Sequence, residues 1–289
     1  MPIFQVKNNK AQRISLKSYF HNEQELHDFF EANLEVLLGV RLLQHKYNTQ
    51  GSGIPDTLAI DESNTPVVIE YKFVIDPGVL VQGLSYRGWL KDNKKHIELL
   101  AKDIIGADEK INWSNPRIIL VAPGFDSRTK LAAKDSEDVE LYKYTLYDQG
   151  FLYLETEYSS NPSKMKEPLL KKDEDEIYNL NYHLKDSNKE IKDIFYSLQE
   201  KMKLLPDVNE IVNQKVGITY RTTKSFTRFE FGKSYIDVLV RESKYNDPKG
   251  LVKDITSFKW GYQGKIKVTS LKEVDDVFAL VKQSYEQTL

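Results

Sequence analysis

The sequence predicts a mixed α/β protein, with a central sheet flanked by helices in its first half and a smaller α+β region in its second. Short runs rich in β-branched and aromatic residues indicate strands. They alternate with longer runs whose apolar residues recur every three or four positions, as on one face of a helix. The 289 residues are 40% hydrophobic and 11% aromatic, which supplies enough apolar side chains for a buried core.

The first half contains, in order, helix, strand, strand, helix, strand, helix, strand and strand, which is typical of a sheet with helices on its faces. Asn22 is a candidate N-cap for the first helix, and Leu26, Phe30 and Leu34 follow it at helical spacing. We expect helices over residues 23–43 and 80–105, and strands over residues 54–61, 66–73, 117–122, 139–147 and 151–155.

A change in composition divides the chain. Residues 159–176 contain prolines and a run of mixed charge, which predicts a linker between a first domain over residues 1–158 and a second over residues 177–289. In the second domain we expect helices over residues 178–202 and 273–285, and strands over residues 216–220, 226–231, 235–241 and 265–269.

Composition and charge exclude several classes of protein. The formal net charge of -2 argues against a protein that coats DNA through its phosphates, but not against an enzyme with a local site. The absence of cysteine excludes disulfides, thiolate metal sites and cysteine nucleophiles. Residues 1–16 lack the apolar run of a signal peptide, and the longest apolar run, residues 36–43, is too short to cross a bilayer. We therefore expect a cytoplasmic protein with no membrane partner.

Charged residues that follow an apolar strand mark the candidate site. The apolar residues 67–69 predict a buried strand, yet Glu70 and Lys72 follow two positions apart and therefore share one face. Buried charges are costly unless they are paired or bind a metal ion. Asp56 belongs to the preceding strand, and the turn-forming residues 62–65 predict a hairpin that brings Asp56 beside Glu70.

This arrangement suits a divalent cation. Two converging carboxylates would form an all-oxygen site for Mg²⁺, for which Mn²⁺ could substitute. The backbone carbonyl of Tyr71 would add a third oxygen, so the predicted metal ligands are Asp56, Glu70 and Tyr71. Lys72 would orient or deprotonate a metal-bound water, or stabilise the charge on a phosphate. These groups meet the requirements of phosphodiester hydrolysis.

The segments Pro55-Asp56 and Glu70-Tyr71-Lys72 resemble the signature of the PD-(D/E)xK, or restriction-endonuclease-like, nucleases. Over residues 23–90 the chain most closely resembles the catalytic domains of NucS-type mismatch endonucleases and their bacterial relatives. The resemblance implies a restriction-endonuclease-like mixed sheet. It also implies a Mg²⁺-dependent endonuclease that cleaves DNA to 5′-phosphate and 3′-hydroxyl ends, in DNA repair or in defence against foreign DNA.

The same resemblance implies two assisting residues. The first helix of these nucleases often supplies a further acid, for which Glu25 is the best match and Glu31 a rival. The helix after the Glu-x-Lys strand often carries a glutamine, and Gln82 stands at that place. The predicted catalytic set is therefore Asp56, Glu70, Lys72, Glu25 and Gln82.

The order of the two halves departs from the family. NucS-type proteins place their DNA-binding and dimerisation domain before the nuclease domain, whereas here the nuclease-like half comes first, so mismatch specificity is not carried over. Residues 235–264 resemble an uncharacterised domain that often follows such nucleases, and this similarity names no activity. We expect the second half to recognise a substrate or partner.

The residues also leave other interpretations open. The charged cluster could be a structural group of ion pairs, or the chain a non-catalytic nucleic-acid- or protein-binding module on a nuclease-like fold. The substrate could equally be RNA, because a metal site of this kind contacts only the phosphodiester. We expect nucleic acid as the partner, DNA before RNA, and leave a homodimer open.

Several polar and aromatic residues are given no catalytic role. Tyr86 is expected in the core. Basic and aromatic residues of the second half could stack on single-stranded nucleic acid, but strand aromatics more often lie in a core; these are Phe226, Arg228, Lys233, Tyr235 and Arg241. The five histidines show no metal-binding spacing; they are His21, His27, His45, His96 and His183.

Overall fold

The computed structural model describes residues 2–17, 20–49, 51–106, 110–136, 138–159, 178–212, 216–256 and 261–288. Its first half contains a six-stranded mixed sheet in the order β3-β4-β5-β6-β7-β8. Strands β5, β6 and β7 are parallel neighbours, and the other pairs are antiparallel. The strands are β3 (Val40–His45), β4 (Thr57–Asp61), β5 (Pro66–Tyr71), β6 (Arg117–Ala122), β7 (Val139–Tyr147) and β8 (Phe151–Ser159).

Helices cover both faces of this sheet. Val67 and Ile69 of β5 pack in a core with Leu26 and Phe30 on one face, whereas Val68 packs on the opposite face. The alternation follows from the two-residue period of a strand whose two faces are both buried. The helices are α1 (Glu23–Ala32), α2 (Leu34–Leu38), α3 (Val79–Asp92), α4 (Lys94–Ile105) and α5 (Ser127–Lys134). The predicted fold class of the first half is thus confirmed.

The second half forms a separate antiparallel sheet in the order β13-β14-β12-β11-β10-β9. Three helices supply apolar residues to its core, namely α6 (Leu180–Leu184), α7 (Lys189–Met202) and α8 (Val274–Glu286). The strands are β9 (Asn209–Ile211), β10 (Ile218–Arg221), β11 (Ser225–Phe231), β12 (Ile236–Val240), β13 (Lys253–Asp254) and β14 (Gly264–Val268). The predicted α+β character is confirmed.

Two differences from the prediction have local causes. The helix predicted over residues 23–43 is divided at Asn33 into α1 and α2, and α2 ends at Leu38, because Gly39 adopts a left-handed conformation (φ 65°) and the chain turns into strand β3. Near the N-terminus, β1 (Ile3–Lys7) and β2 (Lys10–Ile14) pair as a hairpin that was not predicted. Its turn residues Asn8 and Asn9 both have positive φ, as a tight hairpin turn requires.

The predicted linker, residues 159–176, lies outside the described residues except for Ser159, which ends β8. The domain boundaries therefore stay predictions. Across the described ranges, every helix is too short or too polar to cross a bilayer.

Candidate active site

The β4–β5 hairpin positions two carboxylates against each other. Thr57 pairs with Ile69 in the antiparallel register, so Asp56, just before β4, lies opposite Glu70 near the end of β5. The backbone N–H of Asp56 donates to Oε1 of Glu70 (3.1 Å), and the backbone N–H of Tyr71 donates to Oδ2 of Asp56 (3.0 Å). Each bond engages one oxygen of a carboxylate and leaves the second for other partners. The structure thus brings together the two acids that the sequence singled out.

The negative charge of this pair is poorly compensated. Glu70 is 2% exposed, and burial raises its pKa to about 8, with a further contribution from Asp56. The hydrogen bond from the Asp56 N–H and the charge of Lys72 lower the pKa of Glu70. The ammonium of Lys72 lies 4.0 Å from Oε2 of Glu70 and 4.0 Å from Oδ2 of Asp76, so it stands between two carboxylates without close contact to either. We call Asp56, Glu70 and Lys72 the site cluster.

Helix α1 presents a polar row to the strand ends. Glu23, His27 and Glu31 are spaced four residues apart and therefore share one face of the helix. Glu23 accepts a hydrogen bond from the backbone N–H of Phe73 (3.1 Å), just after Lys72. Glu31 accepts from the hydroxyl of Thr57, the first residue of β4. The row therefore holds both strands of the hairpin at the end that carries Asp56 and Glu70.

His27, in the middle of this row, was given no role in the sequence analysis. Its side chain is 3% exposed, Nε2 lies 3.5 Å from Oδ2 of Asp56, and the ring centroid is 4.9 Å from that of Tyr71. Neither ring nitrogen has a hydrogen-bond partner among the described residues. Burial lowers the pKa of His27, while Asp56 and Glu23 raise it. The available sequence signal was the four-residue spacing to Glu23 and Glu31, not the spacing between histidines.

Glu25, the predicted first-helix acid, lies elsewhere. It is two residues from both Glu23 and His27, about 200° around the helix from each. Its carboxylate accepts from the backbone N–H of His21 (2.9 Å) and contacts the His21 ring (2.8 Å) in an exposed setting. The structure does not bring Glu25 to the site cluster, whereas its rival Glu31 and the neighbouring Glu23 both contact the hairpin.

Helix α3 contributes two residues one turn apart. Gln82 is partly buried, and its Oε1 has no hydrogen-bond partner among the described residues. Tyr86 is 8% exposed and belongs to a core cluster, as predicted, but it also accepts a hydrogen bond from the backbone of Ile54. Its hydroxyl packs so closely on Gly53 (φ 101°) that a Cβ there would lie 2.8 Å away. Tyr86 therefore fixes the loop that leads into Asp56.

The other end of the same hairpin carries a second buried charge cluster, which we call the docking cluster because it joins the two halves of the chain. Nη1 of Arg117 donates to Asp61 (2.9 Å), and its Nε donates to Glu140 (2.9 Å). Two arginines come from the second half: Arg221 pairs with Glu140 (2.7 Å) and Arg241 with Glu62 (2.6 Å). The docking cluster comprises Asp61, Glu62, Arg117, Glu140, Arg221 and Arg241.

Basic and aromatic residues of the second half also make structural contacts. Arg228 is 3% exposed, pairs with Glu230 (2.8 Å) and lies 5.1 Å from the ring centroid of Tyr262. Phe226 is fully buried, and Arg241 bonds to Glu62 of the hairpin. The core interpretation is confirmed for Phe226, whereas Tyr235 is partly buried and Lys233 is exposed.

Asp56 and Glu70 are the residues best placed to hold a metal ion. Within the described part of the chain, no group of three or more His, Asp or Glu side chains is already arranged as a metal site. The donor set is therefore two carboxylates, the buried Glu70 and the partly buried Asp56, with the backbone carbonyl of Tyr71 directly after Glu70 in the chain. Such a set suits a cation that takes most of its ligands from water or from a bound substrate.

Comparisons with known proteins give similarities of low sequence identity. No family model matches the chain. An uncharacterized protein of Haemophilus influenzae is 24% identical over an alignment of 311 positions, which covers 98% of this chain and 99% of that protein. A repair endonuclease from Pyrococcus abyssi is 24% identical with a TM-score of 0.32, over 44% of this chain and 48% of that one.

Two further solved structures are similar over part of their length. EndoMS in complex with double-stranded DNA is 18% identical with a TM-score of 0.32, over 50% of this chain and 64% of that one. SfsA of Pyrococcus furiosus in complex with Ca²⁺ is 16% identical with a TM-score of 0.28, over 55% of this chain and 76% of that one. The chain spans about half the length of the endonuclease from Pyrococcus abyssi.

Proposed function

We propose that this protein is a metal-dependent endonuclease that hydrolyses phosphodiester bonds in DNA. The observation that carries the proposal is the pair of carboxylates, the buried Glu70 and the partly buried Asp56, held face to face at one end of the β4–β5 hairpin. Two buried acids in contact destabilise each other when both are ionised, unless a cation lies between or beside them. The motif Pro55-Asp56 with Glu70-Tyr71-Lys72 favours a nuclease over other metal-dependent hydrolases.

The carboxylates fit Mg²⁺ in number and chemistry. This ion is commonly held by one or two carboxylates, with water and substrate phosphate oxygens completing its coordination. Asp56 and Glu70 would each bind it through the oxygen that the backbone hydrogen bonds leave available, and the carbonyl of Tyr71 would add a ligand. When bound, the cation would supply charge neutralisation and an activated water. Mn²⁺ would substitute, because it takes similar oxygen ligands.

Lys72 would act on the substrate side of the carboxylates. At 4.0 Å from both Glu70 and Asp76 it is not committed to a tight ion pair, so its ammonium can contact a phosphate oxygen or orient the attacking water. Gln82 presents an Oε1 that could accept from the same water. We assign the supporting role predicted for Glu25 to Glu23, because Glu23 holds the backbone that follows Lys72.

A cleavage assay tests this function. Purified protein would be incubated with supercoiled plasmid and with labelled RNA, in Mg²⁺ or Mn²⁺, alongside Asp56→Ala and Lys72→Ala. We expect plasmid cleavage that each substitution lowers at least about 100-fold. Asp28→Ala on the exposed side of α1 and Lys95→Ala on α4 are matched controls that should cleave normally.

Three outcomes would contradict the proposal. Binding of DNA without cleavage in either metal would indicate a non-catalytic module. Cleavage of RNA with intact plasmid would make the enzyme a ribonuclease. Cleavage that persists in both variants would place the chemistry outside the site cluster.

A further inference from the structure

The buried imidazole of His27 is unexplained by the roles assigned so far. It is buried, like Leu26 and Phe30 on the same helix, and Tyr71 lies against its ring. A buried polar group without a hydrogen bond costs free energy, on the order of 1–3 kcal/mol. Such groups are rare in folded proteins and call for a specific explanation.

The geometry of the surrounding contacts limits what the ring can do. Glu23 and Glu31, one turn before and after, are tied to Phe73 and Thr57. Helix α1 is therefore fixed against both strands of the hairpin, and His27 cannot turn away from it. Its Nε2 atom faces Oδ2 of Asp56 at 3.5 Å, about 0.5 Å beyond an ordinary N–H···O hydrogen bond.

We propose that His27 is a positioning residue, whose Nε2–H group hydrogen-bonds to Oδ2 of Asp56 and so sets the orientation of that carboxylate. The backbone N–H of Tyr71 already donates to the same oxygen. Two donors on Oδ2 fix the carboxylate plane and leave Oδ1 for the cation. The ring can carry a proton on Nε2 in either charge state, so the role does not depend on its titration. The inference that the oriented carboxylate binds a cation rests on the proposed function. The contact between His27 and Asp56 does not.

Two substitutions separate positioning from packing. His27→Gln keeps an amide N–H donor near the place of Nε2, whereas His27→Leu keeps the bulk and removes the donor. Loss of a group that orients a metal ligand typically costs about 10- to 100-fold in metal affinity or activity. We expect that loss in His27→Leu for both Mn²⁺ affinity and plasmid cleavage, and values within about threefold of the original in His27→Gln.

The control is His183→Gln in the second half, where Nε2 contacts the carbonyl of Val212 (2.8 Å), far along the chain from the hairpin. It should leave Mn²⁺ affinity and cleavage unchanged. Urea unfolding of the variants should show that His27→Leu is about as stable as the original, because the lost contact to Asp56 is offset by removal of Nδ1, a buried polar atom without a hydrogen-bond partner among the described residues. A loss of activity with unchanged stability is a result that a packing role alone would not give.

A measurement that needs no cleavage tests the contact. In full-length, metal-free protein labelled with ¹⁵N-histidine, we expect the Nε2 atom of His27 to carry a proton, and its resonance to shift in Asp56→Asn. A ring protonated only on Nδ1 would overturn the proposal. So would wild-type cleavage and Mn²⁺ affinity in His27→Leu.

Direct coordination is a distinct outcome. If His27→Gln were as impaired as His27→Leu, and electron spin-echo spectra of bound Mn²⁺ showed a nitrogen coupling that both variants lose, His27 would be a ligand rather than a positioning residue. Should the original protein neither bind Mn²⁺ nor cut nucleic acid while the Nε2–H contact to Asp56 is observed, the proposed function would fall and the contact would stand.

Discussion

The two ends of the β4–β5 hairpin differ in how the negative charge of their carboxylates is compensated. In the docking cluster, three acids face three arginines at nitrogen–oxygen distances of 2.6 to 2.9 Å. In the site cluster, Asp56 and Glu70 face each other, and the ammonium of Lys72 stays 4.0 Å from Glu70. Where buried carboxylates have a structural role alone, as in the docking cluster, guanidinium groups lie close to them and balance their charge. The end without such partners is where a cation or substrate would be expected to complete the charge balance.

The largest effect on stability should come from Arg117→Ala in the docking cluster. Arg117 is 6% exposed and bonds to both Asp61 and Glu140, so its removal leaves buried charge uncompensated. We expect the free energy of unfolding in urea to fall by about 3–5 kcal/mol. Arg13→Ala, at an exposed position of β2, is the control. A loss no greater than that of the control would mean that the cluster is not structural.

Acid should weaken the same cluster. Burial alone would raise the pKa of Glu140, but Arg117 and Arg221 lower it from 4.5 to about 2. A lowered folded-state pKa stabilises the protein above pH 4.5, and this contribution is lost as the pH falls towards 2. Its size is on the order of 3 kcal/mol.

Unfolding free energies of the original protein and Glu140→Gln, measured across that acid range, test this dependence. The difference between the two proteins should be largest near neutral pH and should shrink as the pH falls. A difference that stays constant with pH would show that Glu140 does not titrate with a lowered pKa.

Glu70→Gln in the site cluster should affect stability differently from Arg117→Ala in the docking cluster. The glutamine Oε1 can still accept from the Asp56 N–H, while a buried acid whose ionisation is opposed by burial and by Asp56 is replaced by a neutral amide. We expect cleavage to fall at least about 100-fold, because a proposed cation ligand is lost. In EDTA the free energy of unfolding should stay the same or rise, opposite in sign to Arg117→Ala. Strong destabilisation would instead indicate that the site cluster is a structural group of ion pairs.

The smallest effects on cleavage are expected for two glutamates of helix α1, Glu23 and Glu25, and these effects should differ from each other. Glu23→Ala removes the acceptor for the Phe73 N–H and should lower cleavage by roughly tenfold, since an unmet hydrogen bond costs about 1–3 kcal/mol. Glu25→Ala should change cleavage less than about threefold, because exposed ion pairs such as Glu25 with His21 contribute little. Equal losses in the two variants would return the assisting role to Glu25.

The hairpin of the candidate site was predictable because its signals are local. Two apolar runs with a turn between them determine which residues pair, and the two-residue period of β5 places Glu70 on a defined face. Asp56 and Glu70 are only 14 positions apart, within one hairpin. The buried strands of the sheet followed from the same kind of pattern.

The remaining contacts depend on how distant elements pack, which a single sequence does not encode in any short pattern. His27 and Glu23 reach the hairpin only because α1 lies across the strand ends with one particular rotation about its axis. Arg241 and Glu62 are 179 positions apart, and nothing near Arg241 distinguishes a docking arginine from a nucleic-acid-binding one. Strand β3 was missed because its apolar residues continue the helical spacing of α2 beyond Gly39.

The length of β4 has a geometric consequence. Asp56 of the site cluster and Asp61 of the docking cluster are five residues apart, which corresponds to about 17 Å of extended chain. A register-preserving insertion of two residues in each of β4, β5, β6 and β7, whose ends carry the acids and Arg117 of the docking cluster, would move the second half outward by about 7 Å while Asp56 and Glu70 stay opposed. Strand length thus sets the distance between the site cluster and the second half, independently of the residues that form either cluster.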